Sequence, residues 1–201
     1  MPFRSIMARL IVLTMALSLA GCGLNSVPTA EETAKARWAD VQNEYQRRAD
    51  LVPNLVATVK GYATQEKSVL IGVTEARAKA TSIQVSADDL TNPAKIQQFG
   101  AAQGELSQAL GRLLMVTENY PDLKSNQNFL ALQSQLEGTE NRITIARRDY
   151  NEAVRAYNTR IRTFPDAIGA KIFYGAKPMA PFKAVTPGAE VAPSVNFGNG
   201  N

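Results

Sequence analysis

From Trp38 onward the apolar residues of this chain return at positions 38, 41, 45, 52, 55, 59 and 62, as Trp, Val, Tyr, Val, Leu, Val and Tyr. Steps of three and four mark an amphipathic helix with one buried stripe. The stripe skips position 48, where Arg48 stands. Ahead of it, Thr29-Ala30-Glu31-Glu32 fits a capping box, which starts the helix near residue 30 and carries it to about 63. Pro53 lies inside the pattern. It removes the donor to the Ala49 carbonyl, so it predicts a bend there with that carbonyl free or on water.

Gly61 interrupts the pattern and Thr64 is a candidate cap for a second helix over about 65–84, with a thin stripe of Val69, Val73, Ala76, Ala80 and Ile83. Acidic, turn-forming residues follow in "SADDLTNP" (86–93). Asn92-Pro93 places a capping side chain before a proline at the first helical position, a start signal for a third helix. That helix carries Ile96, Phe99, Leu106, Leu110 and Leu113, and stops at Pro121. Ser125 is a candidate cap for a fourth, whose stripe is Phe129, Leu132, Leu136, Ile143, Tyr150, Val154, Tyr157 and Ile161, up to Phe164-Pro165. At 1.5 Å per residue that last helix is about 60 Å long.

No stretch alternates with the two-residue period of a strand. Four amphipathic helices joined by short loops predict an all-α fold, an antiparallel up-and-down four-helix bundle with long first and last helices. The bundle is expected over residues 30–164. Residues 165–201 form a C-terminal extension in which "DAIGAKIFYG" can add a helical turn. From Lys177 on, the chain is rich in Pro, Gly and Ala, which predicts a mostly disordered tail, largely so after about 182.

The N-terminus shows a different pattern. Arg4 and Arg9 precede the ten-residue apolar run Leu10 to Leu19, and small residues follow. A basic start, a short apolar core and small residues form a secretory signal, and the run falls short of the roughly 20 residues that span a bilayer. The single cysteine of the chain, Cys22, follows Leu19-Ala20-Gly21, a stretch that resembles the bacterial lipobox. The expectation is a lipoprotein signal peptide at 1–21, lipid (diacylglycerol and a further acyl chain, such as palmitate) on Cys22, and a tether at 22–29. Gly23 follows the cysteine where the inner-membrane retention signal of enteric-type bacteria is Asp, so the expectation is an outer membrane, in a host that has one, with the protein facing the periplasm. Cleavage removes two arginines and no acid, so the formal charge falls from +4 to +2 over the remaining 180 residues. That length suffices for one domain with a core of its own. No basic block stands out as a nucleic-acid footprint.

Composition narrows the chemistry. The chain has no histidine. This excludes Ser-His-Asp and Cys-His nucleophiles, Glu-x-x-His di-iron sites and histidine-based zinc sites. No Gly-rich phosphate loop follows a strand. Gly100-x-x-x-Gly104 has the spacing of a membrane-helix dimer motif but sits among glutamines and a glutamate, which favours close packing of soluble helices. The acid pairs Glu31-Glu32 and Asp88-Asp89 fall at helix starts or in a loop, where they suit the helix dipole. No catalytic residue, metal site or cofactor is expected.

Three stretches are more specific than solubility requires: "NEYQRRADLVPNL" (43–55), "NFLALQSQLEGTENRI" (128–143) and "TENRITIARRDYNEAVRAYN" (139–158). With the "FP" after the last helix and "PF" at 181–182, they closely resemble the LemA family over roughly residues 30–182. The resemblance implies a helical bundle held at a membrane and implies no particular reaction. Many family members begin with a transmembrane helix, so the lipobox is this chain's own feature. The charged motif residues could form a solvated face, a partner-docking surface or interior contacts that fix helix register.

If the first and last helices are antiparallel, their residue numbers sum to a near constant, and Arg48 faces positions near 140–142. This predicts Arg48 against Glu140, and Asp50 against Arg142 or Arg147, as an interhelical polar cluster. The function expected is a lipid-anchored, non-enzymatic scaffold or adaptor of the cell envelope with a protein partner there. The alternative is an envelope transport or ligand-binding component with a groove between helices.

Overall fold

The computed structural model describes residues 25–183. Six helices lie in that span: α1 (Ser26–Lys60), α2 (Lys67–Ser82), α3 (Pro93–Thr117), α4 (Pro121–Lys124), α5 (Gln127–Arg160) and α6 (Asp166–Ile172), with a short 3-10 helix at Asp88–Thr91. The four long helices form an all-α bundle, and no strand occurs among the described residues. Among the same residues no helix is long and apolar enough to cross a membrane.

The helices α1 and α5 are the principal pair, and they run antiparallel. Arg160 reaches the Ser26 carbonyl at one end, Arg48 meets Glu140 in the middle, and Asn126 meets the Tyr62 hydroxyl at the other end. The residue numbers of these contacts sum to 186, 188 and 188, one constant register along about 50 Å of helix. The buried residues of α1 include Trp38, Val41, Tyr45, Arg48, Val52, Leu55 and Val59. Arg48 therefore completes the stripe that the apolar pattern left open. The helices α2 and α3 pack together and complete the bundle against α1 and α5.

Caps form where a side chain reaches an orphan amide. Asn92 Oδ1 accepts from the Ala94 amide ahead of Pro93, as the sequence predicts. At α5 the cap is Asn126, accepting from Phe129 at 3.0 Å, one residue beyond the expected Ser125. The Thr29–Glu32 capping box does not form. The helix begins at Ser26 because Val27 is fully buried against the core, and its first turn is then helical. Thr29 turns its hydroxyl back to the Asn25 carbonyl at 2.7 Å, and Glu32 pairs with Lys35. Residues 26–29, expected as part of the tether, are thus helical. Thr64 caps nothing: Ala63 is buried, residues 61–66 close through backbone turns, and α2 starts at Lys67.

Pro53 does not break α1, which runs through it without interruption. The carbonyl it would orphan is not left free. Arg77 of α2 donates its Nε to the Ala49 carbonyl at 2.7 Å. A side chain from the neighbouring helix replaces the missing backbone donor.

The reading of the chain from Lys177 as a disordered tail is corrected up to residue 183. Met179, Ala180 and Phe182 are buried in the core. The expected disorder beyond that falls on residues 184–201, and the signal peptide and Cys22 fall on residues 1–24. Both lie outside the described residues.

Candidate functional site

Three helices carry a polar residue on their buried stripe at one level of the bundle. They are Arg48 on α1, Gln103 on α3 and Thr139 on α5, at 1%, 5% and 0% exposure. They divide the core. On one side lies an aromatic-rich cluster around Trp38, Tyr45, Phe99, Tyr150 and Phe182. On the other lies an aliphatic cluster around Val52, Leu55, Leu106, Leu110 and Leu136.

Arg48 is the hub of the layer. Its Nη1 donates to Glu140 Oε1 at 2.9 Å and to Ser107 Oγ at 2.6 Å. Its Nη2 donates to the Gln103 carbonyl at 2.9 Å and to Gln103 Oε1 at 2.7 Å. Gln103 in turn donates to the Ala80 carbonyl of α2 at 3.2 Å. One guanidinium thereby links α1, α3 and α5, and reaches α2 through Gln103. It also lies 5.0 Å from the centroid of the Tyr45 ring, within cation–π range. A buried guanidinium is costly unless its donors are met, and four contacts meet them here. Only Nε lacks a partner among the described residues. Glu140 is 43% exposed at the side chain, so its carboxylate remains partly hydrated while the arginine does not.

The other predicted members of the cluster go elsewhere. Asp50 is exposed and accepts from Gln46 on its own helix at 2.7 Å. Two residues advance a helix by about 200°, so Asp50 cannot share a face with Arg48. Arg142 pairs with Glu44 at 3.0 Å and donates to Thr139 at 2.8 Å. Arg147 lies over the Phe182 ring, 4.3 Å from its centroid. The expected pairing of Asp50 with Arg142 or Arg147 is therefore corrected. Gln103, Ser107 and Thr139 were not anticipated. A signal for them existed: the apolar stripes skip 103 and 139 as well as 48.

A second arrangement reads the C-terminal strap. Asn158 and Asn151 each grip one residue of it through both amide groups. Asn158 takes the Met179 carbonyl and amide, each at 2.8 Å. Asn151 takes the Phe182 carbonyl at 2.8 Å and its amide at 2.7 Å. Seven residues of helix rise about 10.5 Å, and three residues of extended chain span about 10 Å, so the two asparagines match the strap's length. Between them, the Tyr150 hydroxyl donates to the Ala180 carbonyl at 2.8 Å, and the Ala180 amide donates to Leu90 at 2.8 Å. Phe182 then closes the aromatic cluster, 6.2–6.4 Å from Trp38, Tyr45 and Phe99. The signal in the sequence is a Tyr-Asn pair repeated at seven residues, 150–151 and 157–158.

Burial raises the phenol pKa of Tyr150 well above its ordinary value. It also raises that of Tyr45, with nearby Arg147 and Arg48 opposing the shift. A cleft of about 430 Å³ lies beside the strap, lined by residues that include Arg155, Thr159, Arg162 and Pro181.

These features define a class: a helical bundle split by a buried cation network and closed by a strap that its last long helix holds. The chain belongs to the LemA family, whose family model matches residues 37–197. It is 28% identical over 157 residues to magnetosome protein MamQ 2 of Paramagnetospirillum magneticum, covering 70% of this chain and 58% of that protein. To magnetosome protein MamQ of Magnetospirillum gryphiswaldense it is 27% identical, with the same coverage. To protein LemA of Metamycoplasma hominis it is 29% identical over 121 residues, 60% of this chain and 51% of that one. The chain thus spans little more than half the length of these relatives.

Proposed function

We propose that this LemA-family protein is a lipid-anchored, non-enzymatic scaffold or adaptor of the cell envelope, held at a membrane through Cys22 and docking an envelope protein. The observation that carries the reading is how the family motifs are used. Arg48, Arg142 and Arg147, with Asn151 and Asn158, are engaged in holding helices and strap in one register. Buried polar groups that fix register are the attested use of such layers. A bundle with its polar interior used this way presents a rigid, uniquely registered surface, which suits docking. The sequence supports the anchor: Cys22 follows a basic start, a short apolar run and the lipobox-like Leu19-Ala20-Gly21. Gly23 after the cysteine, in place of an inner-membrane retention signal, favours an outer membrane with the protein facing the periplasm.

Mass spectrometry of the native protein tests the anchor. The expected result is a mature N-terminus at Cys22 carrying diacylglycerol and an acyl chain; an unmodified cysteine or a retained residue 1–21 refutes it. Crosslinking in intact membranes tests the adaptor role, which predicts a defined envelope protein bound in stoichiometric amount. The cleft beside the strap favours a second reading, a ligand-binding component. Under that reading an anionic amphiphile such as dodecyl phosphate raises the melting temperature, and Arg155→Ala with Arg162→Ala removes the effect.

A further inference from the structure

The helix α6 is packed inside out. Its small residues Gly169 and Ala170 are buried, while Ile168 and Ile172 are 53% and 69% exposed. Residues four apart share a helix face, so these two isoleucines form a stripe directed away from the core. Phe164 before the helix and Phe173 after it are 82% and 67% exposed. A helix that only closed a core would place its large apolar groups inward. Single exposed apolar residues are ordinary, but four large ones on one short segment mark an interaction surface.

Two further observations say what covers it. The first is position. Ala170 shares its core cluster with Val27, and Arg160 donates to the Ser26 carbonyl at 3.3 Å. The patch therefore sits at the end of the bundle that holds the start of α1 at Ser26, four residues after Cys22 in the sequence. The second is charge. From 160 to 177 the chain carries Arg160, Arg162, Lys171 and Lys177 against one acid, Asp166, and all four cations are exposed. Apolar groups beside lysine and arginine are the pattern of a segment lying in the headgroup region of an anionic bilayer.

We infer that this end of the bundle seats directly on an anionic lipid surface, with Phe164, Ile168, Ile172 and Phe173 entering the boundary between headgroups and acyl chains and Arg162 and Lys171 meeting lipid phosphates. The inference rests on the anchored reading for delivery to a bilayer and goes beyond it. An acyl chain holds one point of the chain, whereas this face fixes the orientation of the bundle and points its opposite end away from the membrane.

The test uses the full chain in phosphatidylcholine vesicles with and without phosphatidylglycerol, some made with acyl chains brominated near the headgroup. Phe173→Trp adds a reporter to Trp38, which is buried in the core and serves as the internal control. The expected result is that bromolipid quenches most of the added indole's emission and spares Trp38. Quenching should be stronger with phosphatidylglycerol, and Ile168→Asp with Ile172→Asp should abolish it while the protein still floats with the vesicles. Both isoleucines are exposed, so the pair of substitutions leaves the core intact. Flotation without quenching overturns the inference and leaves the anchored reading standing. An added indole shielded without vesicles also overturns it. If the shielding depends on protein concentration, the occupant is a second copy; if it does not, the occupant is a segment of the chain itself. A full chain that fails to float overturns both readings.

Discussion

Replacing Arg48 with alanine should be among the most damaging single changes in this bundle, and the structure gives its size. The substitution removes four hydrogen bonds. It strands Gln103 Oε1 in the core, and an unsatisfied buried acceptor costs about 1–3 kcal/mol. It also removes two stem methylenes, Cγ and Cδ, at roughly 0.8 kcal/mol each. The lost pairing with Glu140 adds less than about 1 kcal/mol, because that carboxylate is partly hydrated. The total is about 3–5 kcal/mol, a large share of the roughly 5–15 kcal/mol that holds a domain. At about 2–4 °C per kcal/mol it lowers the melting temperature by roughly 6–20 °C. Circular dichroism at the helical band, in heat and in urea, reads it as a lower midpoint with an unchanged slope. Arg48→Met with Gln103→Leu should recover most of the loss, since apolar replacement of a whole buried polar set is often neutral or stabilising. The reasoning is refuted if Arg48→Ala falls within about 0.5 kcal/mol of the wild type, the range of ordinary surface substitutions. It is refuted equally if the paired apolar replacement is no more stable than Arg48→Met alone.

Arg77→Ala should cost about 1–1.5 kcal/mol by unpairing the Ala49 carbonyl, and clearly less in a Pro53→Ala background, where a backbone amide can take its place; urea midpoints of the four proteins measure the coupling. Asn151→Ala leaves the amide and carbonyl of Phe182 without their partner, so it should cost about 2–3 kcal/mol and speed proteolytic cleavage within 176–183 ahead of the bundle. Stability should also fall in alkali. The buried phenols of Tyr150, Tyr45 and Tyr157 have raised pKa values in the fold, so their contribution is complete below about pH 10, where an unfolded tyrosine begins to ionise, and is lost as the pH rises further. Melting curves from neutral pH into the alkaline range should show this decline, and Tyr150→Phe should flatten it while lowering stability at neutral pH through loss of the bond to Ala180.

The local pattern in the sequence determined the helices, their antiparallel order and the pairing of Arg48 with the level of Glu140. Each of these follows from period and length: a stripe every three or four residues makes a helix, short loops make neighbours antiparallel, and antiparallel helices have a fixed residue sum. The gap at 48 was legible as polar, although the matching gaps at 103 and 139 acquire meaning only when three helices are brought to one level. The apolar pattern did not show Gln46 as the partner of Asp50, although helical spacing alone sets Asp50 about 200° away from Arg48. Nor could it show the start of α1, which buried Val27 pulls back past a well-formed capping sequence. The Ala49 carbonyl had to find a donor, but only the placement of α2 made that donor Arg77. The strap reads as disordered because Pro178 and Pro181 break every regular ladder. It is ordered because side-chain amides seven residues apart on α5 take the place of a neighbouring strand, and that match of spacings exists only once helix and strap lie side by side.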